Sequence, residues 1–190
     1  MNNYYNENAK KFIEETFDSN MKDQYELLEK HLSGSNLKLL DIGFGSGRDS
    51  LYFLSKGYDV TSIDPVIEFC DHGKEIGLDK VCCMRVQDMT FDNEFDAIWA
   101  CASLLHIPTY EMVSVLNKCY DALKDDGIMY CSFKNGEFEG ERGGRFFLDL
   151  IEERFRQFVS KTKFSILEVS ISDDVRPERN EKWMNVVMKK

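Results

Sequence analysis

The sequence predicts an α/β fold: a doubly wound sheet of seven strands, mostly parallel, with helices on both faces and an antiparallel C-terminal strand. Three observations carry that prediction. Apolar segments of strand length alternate with helix-period segments from residue 37 onward. A glycine-rich turn, Gly43-Phe44-Gly45-Ser46-Gly47, stands directly between the first strand and the first helix of that series. The last two strands are joined by only ten mostly polar residues, 173–182, too few for a crossover helix, so that pair is expected to be antiparallel.

The elements follow in order. Met21, Tyr25, Leu28 and Leu32 fall at helical spacing and predict a helix lying against the sheet. Residues 37–42 form the first strand. Residues 48–56 read as a helix capped by Gly57. Residues 58–63 are the second strand, 66–76 a helix interrupted by Gly73, 81–86 the third strand and 95–101 the fourth. Thr109 is placed to cap a helix running to Lys124, with Val113, Leu116, Tyr120 and Leu123 on one face. Asp126-Gly127 turns the chain into a fifth strand, 128–133. A further helix is predicted from Leu148, Ile151, Phe155 and Phe158, and two strands, 164–172 and 183–188, complete the series.

Composition narrows the function classes. Hydrophobic residues make up 43% of the chain, with 14 Phe and 8 Tyr, which opposes disorder. The net charge of -10 argues against a nucleic-acid partner. The first eight residues are polar and acidic and lack the basic-then-apolar order of a signal peptide. No apolar run approaches the ~18 residues of a membrane span. Cys70, Cys82, Cys83, Cys101, Cys119 and Cys131 form no C-x-x-C pair, and the three histidines share no ligand spacing with them. Reduced core thiols, a cytoplasmic location, no membrane and no metal are the expectations.

The glycine turn carries the chemistry. Glycine lets the main chain turn sharply and lets a ligand approach it, and the helix that follows offers free N–H groups. A dinucleotide site would show G-x-G-x-x-G. Here the third glycine arrives one residue early, at Gly47, and Arg48 takes its place. Asp41 stands two residues before Gly43; its charge suits a ligand with an ammonium or sulfonium better than a pyrophosphate. S-adenosylmethionine carries both. Asp64, 23 residues after Asp41 and at the tip of the second strand, is placed to accept ribose hydroxyls. Gln87-Asp88-Met89, directly after the third strand, can meet an adenine edge.

These segments together resemble the class I S-adenosylmethionine-dependent methyltransferases. Asp41-Ile42-Gly43-Phe44-Gly45-Ser46-Gly47 is similar to their first motif, Asp64 to their ribose ligand and Asp88 to their adenine ligand. Phe95–Cys101 resembles their fourth-strand motif, and Leu123-Lys124-Asp125-Asp126-Gly127 their turn before strand five, with two substitutions. Within the class, Gly47–Tyr52 followed by Gly57–Val60 is similar to the tellurite-resistance methyltransferases of bacteria. The resemblance implies a Rossmann-like fold and S-adenosylmethionine as cofactor, released as S-adenosylhomocysteine. It implies a cofactor site of Asp41, Gly43, Phe44, Gly45, Gly47, Arg48, Asp64, Pro65, Gln87, Asp88, Met89 and Cys101, with Tyr5 as part of a cover. The expected organisation is one domain, 1–190: an N-terminal helical lid, 1–35, on a cofactor-binding core, 36–190.

Methyl transfer needs an acceptor held in line with the methyl–sulfur bond, so a catalytic residue is optional. Beyond the fourth strand, His106 is a candidate base. Ser103, Lys134, Arg145, Arg176 and Trp183 are candidates for the acceptor pocket, with the segment 173–177 closing one side. The turn after strand four, Ala100-Cys101-Ala102-Ser103, lacks the Asn/Asp-Pro-Pro-aromatic pattern of base-amine methylation, and Cys101 lacks the preceding proline of pyrimidine C5 methylation. A small-molecule acceptor on a monomer or homodimer is therefore expected. A non-catalytic S-adenosylmethionine-binding protein, a methyltransferase acting on a macromolecule and a nicotinamide-dependent oxidoreductase are the alternatives; the glycine spacing and Asp41 disfavour the last.

Overall fold

A computed structural model describes residues 2–176 and 178–190. Met1 and Pro177, the latter in the expected closing segment, lie outside the described residues. The elements run α1 (Asn2–Thr16), α2 (Lys22–Glu29), β1 (Lys38–Ile42), α3 (Arg48–Ser55), β2 (Asp59–Asp64), α4 (Ile67–Glu75), β3 (Val81–Cys83) and β4 (Phe95–Ala100). Then follow α5 (Thr109–Ala122), β5 (Leu123–Lys134), β6 (Glu139–Arg142), β7 (Arg145–Leu148), α6 (Glu152–Val159), β8 (Ser165–Asp173) and β9 (Lys182–Lys189). Seven strands form one sheet in the order β3-β2-β1-β4-β5-β9-β8. Pairs among β1 to β5 are parallel, and β9 runs antiparallel to both β5 and β8. The ten-residue connection therefore does what its length requires.

Strand periodicity builds both faces of the core. Leu40, Ile98 and Met129 are adjacent in register and pack with Met112 and Leu116 of α5 and Phe155 of α6. Their neighbours Leu39, Trp99 and Tyr130 point the other way and pack with Tyr25 and Leu28 of α2 and Phe53 of α3. The Trp99 and Tyr130 rings stack at 4.1 Å. Among the described residues no helix is long and apolar enough to cross a membrane.

Several predicted elements shift. The third strand ends at Cys83, and Val86–Asp88 is a 3-10 turn. Thr109 is the first residue of α5; Pro108 takes the cap position, and the Glu139 carboxylate accepts the Thr109 N–H at 3.2 Å. Leu148 belongs to β7 and Ile151 only precedes α6, so the predicted apolar face splits between a hairpin and a shorter helix. Leu123–Gly127 is a bulge within β5: Phe95 pairs with Leu123 and Ala97 with Ile128, and Asp126 takes φ +65°.

One buried polar cluster ties α2 and α3 to the sheet. Asp49 accepts from the Tyr25 hydroxyl at 2.6 Å, from Trp99 Nε1 at 2.9 Å and from two Arg48 nitrogens at 2.7 and 2.8 Å. Burial opposes ionisation, but Arg48 and the other donors hold the Asp49 carboxyl below the usual range. Asp49→Ala strands all of these donors. It is expected to cost about 3–5 kcal/mol in urea unfolding; a loss under about 1 kcal/mol would show that the cluster is not structural.

Candidate active site

The turn after β1 is a bare cradle. Gly43 and Gly45 take φ +74° and +51°, a region that strains any side chain. The Gly43 N–H donates to the Ile63 carbonyl at 2.7 Å, tying the turn to the end of β2. A Cβ on Gly43 would stand 2.5 Å from the Ser103 Cβ, and one on Gly45 3.0 Å from the Phe12 ring. Two cavities, of about 370 Å³ and about 560 Å³, meet at this turn; Gly43, Gly45, Tyr5, Phe12, Ala102 and His106 line both.

The larger cavity runs over the tip of β2. Asp64 is buried in its wall, and its carboxylate accepts the Gly45 N–H at 3.2 Å and the Val66 N–H at 2.9 Å. A carboxylate has about four lone-pair sites, so two remain for a ligand's hydroxyls. Burial pushes this acid up to about 6, with the two N–H donors pulling the other way. Pro65 and Gln87 continue the wall, and the Gln87 amide donates to Glu111 of α5 at 2.8 Å. Ser103 lies in this wall too, its hydroxyl buried without a partner.

The smaller cavity starts at Phe44, Arg48 and Cys101 and extends over Lys134, Arg145, Arg176 and Trp183. Burial, and then the nearby Asp49 charge, push the Cys101 thiol up to about 12, so it stays a neutral wall rather than a nucleophile. Lys134 pairs with Glu181 at 2.7 Å; Asp174 takes Arg176 at 3.3 Å and Trp183 Nε1 at 3.0 Å. The β6–β7 hairpin brings Arg145 and Phe147 over the opening. The sequence pattern here shows no strand signal, because β6 is Glu-Gly-Glu-Arg and β7 is only four residues, with no apolar–polar alternation in either.

Where the cavities meet, a hydrogen-bonded chain joins three segments far apart in sequence. The Tyr5 hydroxyl lies 2.8 Å from His106 Nε2, and His106 Nδ1 lies 2.6 Å from the Phe146 carbonyl oxygen. A carbonyl only accepts, so Nδ1 carries the proton and Nε2 accepts from Tyr5. Arg145 Nη1 in turn donates to the Tyr5 oxygen at 3.2 Å. Burial pushes the His106 imidazole down to about 4, and the charges of Arg145 and Lys134 add to this.

Four expected cofactor residues stand outside both cavity walls. Asp41 is buried beneath the turn and its carboxylate takes the Ser50 hydroxyl at 2.6 Å. Burial, with Asp49 nearby, holds its acid well above the usual range, so it offers the cavity no exposed charge. Asp88 faces solvent, where Arg85 grips it with two bonds of 2.7 and 2.8 Å. Met89 is core, and Gly47 instead gives α4 room: a Cβ there would meet Ile76 at 2.5 Å. Ser103, expected on the acceptor side, lies in the larger cavity beside Gly43. Phe12, Asp49, Glu111 and Phe147 line the walls without having been singled out.

Residues 40–131 match the family described as a methyltransferase domain. A Rossmann-like sheet, a bare cradle after β1 and a carboxylate at the tip of β2 fit S-adenosylmethionine; the fold is that of the class I enzymes, and with the matched domain the chain reads as a S-adenosylmethionine-dependent methyltransferase. It is 26% identical to the phosphoethanolamine N-methyltransferase of Plasmodium falciparum, over 99% of this chain and 71% of that protein. Its fold is similar to that of the 1,6-didemethyltoxoflavin-N1-methyltransferase of Burkholderia thailandensis, solved with 1,6-didemethyltoxoflavin and S-adenosylhomocysteine. There the TM-score is 0.82 at 19% identity, over 100% of this chain and 86% of that one. A S-adenosylmethionine-dependent methyltransferase of Methanosarcina mazei is similar with a TM-score of 0.76 at 19% identity, over 87% of this chain and 97% of that one.

Proposed function

We propose that this enzyme methylates a nitrogen on a small molecule seated in the smaller cavity, with the adenosine half of the cofactor in the larger one. The observation that carries the reading is the Tyr5–His106 hydrogen bond at the junction of the two cavities. The names of the Plasmodium and Burkholderia relatives both specify a nitrogen acceptor on a small molecule, which supports the same class here. A cavity of about 370 Å³ roofed by α1 and the hairpin suits a metabolite better than a macromolecule. Of the expected lid 1–35 on the core 36–190, α1 acts as the lid, through Tyr5 and Phe12, while α2 is packed into the core through Tyr25 and Leu28. The narrower kinship with tellurite-resistance methyltransferases and a cytoplasmic location belong to the same proposal.

When bound, the cofactor supplies a methyl carbon activated by its sulfonium. Gly43 and Gly45 hold it against bare backbone, Asp64 takes its ribose hydroxyls and Arg48 stands at its methionine end. His106 is neutral at working pH and holds the Tyr5 proton. The phenol oxygen therefore keeps a lone pair for an acceptor N–H. Phe12, Phe147 and Trp183 exclude water around it.

Asp64→Asn is expected to weaken S-adenosylhomocysteine by about 1.5–3 kcal/mol, because a charged acceptor of two hydroxyls becomes a neutral one. Wild-type affinity should be flat above about 6 and should fall as pH drops below it, because the neutral acid accepts less well. The Asn variant should lose that dependence. Calorimetry at about pH 5 and about pH 7.5 checks both; a variant as tight as wild type would remove Asp64 from the site. The function as a whole is tested with a metabolite extract and methyl-labelled cofactor. Mass spectrometry should find a labelled small product, and label only in macromolecules would overturn the reading.

A further inference from the structure

The charges around the smaller cavity are not all spoken for. Among the described residues, Arg48, Lys134 and Arg176 each hold a carboxylate: Asp49, Glu181 and Asp174. Arg145 holds none. Its guanidinium instead lies among rings, 4.3 Å from the Tyr4 centroid, 5.0 Å from Phe147 and 5.5 Å from Tyr5. One nitrogen reaches the Tyr5 oxygen at 3.2 Å, and Nε is sealed from solvent with no acceptor at all. An unmatched cation in a cavity wall is costly to hold unless a ligand pairs it. Aromatic packing fixes the guanidinium plane, so its N–H fork is pre-organised for a planar or tetrahedral oxyanion.

We infer that the methyl acceptor carries an oxyanion, a carboxylate or a phosphate, and that Arg145 is the residue that binds it. This rests on the acceptor cavity assigned above. The same guanidinium holds the Tyr5 oxygen, so the anion is recognised by the group that also steadies the lid residue at the reacting centre. A neutral analogue of the acceptor would lose its handle and leave Arg145 unmatched.

The test uses the full chain saturated with S-adenosylhomocysteine and three aromatic probes: benzoate, phenyl phosphate and the neutral isostere benzamide. Ligand-observed NMR gives each affinity. At least one anionic probe is expected to bind about tenfold or more tightly than benzamide. Arg145→Gln should bring that ratio to about one, and Arg145→Lys should restore part of it. Preference for benzoate or for phenyl phosphate names the oxyanion. Equal binding of anion and amide by the wild type, no binding of either anion, or an unchanged ratio in Arg145→Gln would overturn the inference. So would weaker S-adenosylhomocysteine binding in Arg145→Gln with the probe ratio intact, which would assign Arg145 to the cofactor's own carboxylate. Failure of the wild type to bind S-adenosylhomocysteine would bring down the cofactor site instead, and this inference with it.

Discussion

Gly43→Val is expected to abolish S-adenosylhomocysteine binding while leaving a folded protein. Two effects combine at this position. The backbone sits at φ +74°, where a β-branched side chain is strained. The added Cβ would also meet the Ser103 Cβ at 2.5 Å, in the wall of the larger cavity. Either the turn or the Ser103 loop must move, and both line the cavity proposed for the cofactor. Gly57→Ala separates the two causes. It shares the positive φ, +88°, but its Cβ would meet nothing within 4 Å. It should lose about 1 kcal/mol of stability and keep its affinity. Calorimetry for binding and thermal melting for stability read the pair. Binding by Gly43→Val within about threefold of wild type would make the turn structural rather than functional.

The legible part of this fold was the part written in periodicity. Leu39/Leu40 and Ile98/Trp99 sit on opposite faces of adjacent strands because consecutive strand residues point opposite ways, and both faces are covered. The cradle and Asp64 were legible because turn chemistry is local: a glycine that must take positive φ announces itself. What escaped depends on distant partners. A helical N-terminal lid with Tyr5 was expected, but not the bounds of α1: its Tyr5, Ala9, Phe12 and Ile13 are diluted by Asn, Lys and Glu, and they are completed by distant residues such as Phe44, Val66 and Phe69. The β6–β7 hairpin shows little apolar alternation because β6 is polar and only β7, through Phe147 and Leu148, reaches the core. Asp41 was misread for a subtler reason. Its position beside the turn is local, but its direction is set by Ser50, which arrives from α3 and takes the carboxylate inward. Asp88 was likewise drawn out by Arg85, three residues earlier. Spacing says where a carboxylate is attached; its hydrogen-bond donors decide which way it faces.

The same logic revises what His106 can do. Standing alone after β4, a histidine invites the role of general base near neutral pH. Its surroundings argue against that role. Nδ1 is held by the Phe146 carbonyl, Nε2 by the Tyr5 hydroxyl, and burial keeps the ring neutral down to about 4. A base that weak gains little from proton transfer at pH 7. It gains more by fixing where the phenol proton points. His106→Ala is therefore expected to cut turnover by about 10²–10⁴-fold while S-adenosylhomocysteine affinity stays within about threefold. Tyr5→Phe should fall into the same range. The double variant should be little slower than either single one, because each substitution breaks the same unit. The pH profile decides between roles. For a lowered imidazole pKa, protonation comes late: wild-type turnover at saturating cofactor should show no histidine inflection near 6.5, and should drop only as pH falls through about 4. A wild-type inflection near neutrality that disappears in His106→Ala would restore the general base and sink the orienting role. Additive losses in the double variant would show that Tyr5 and His106 act separately.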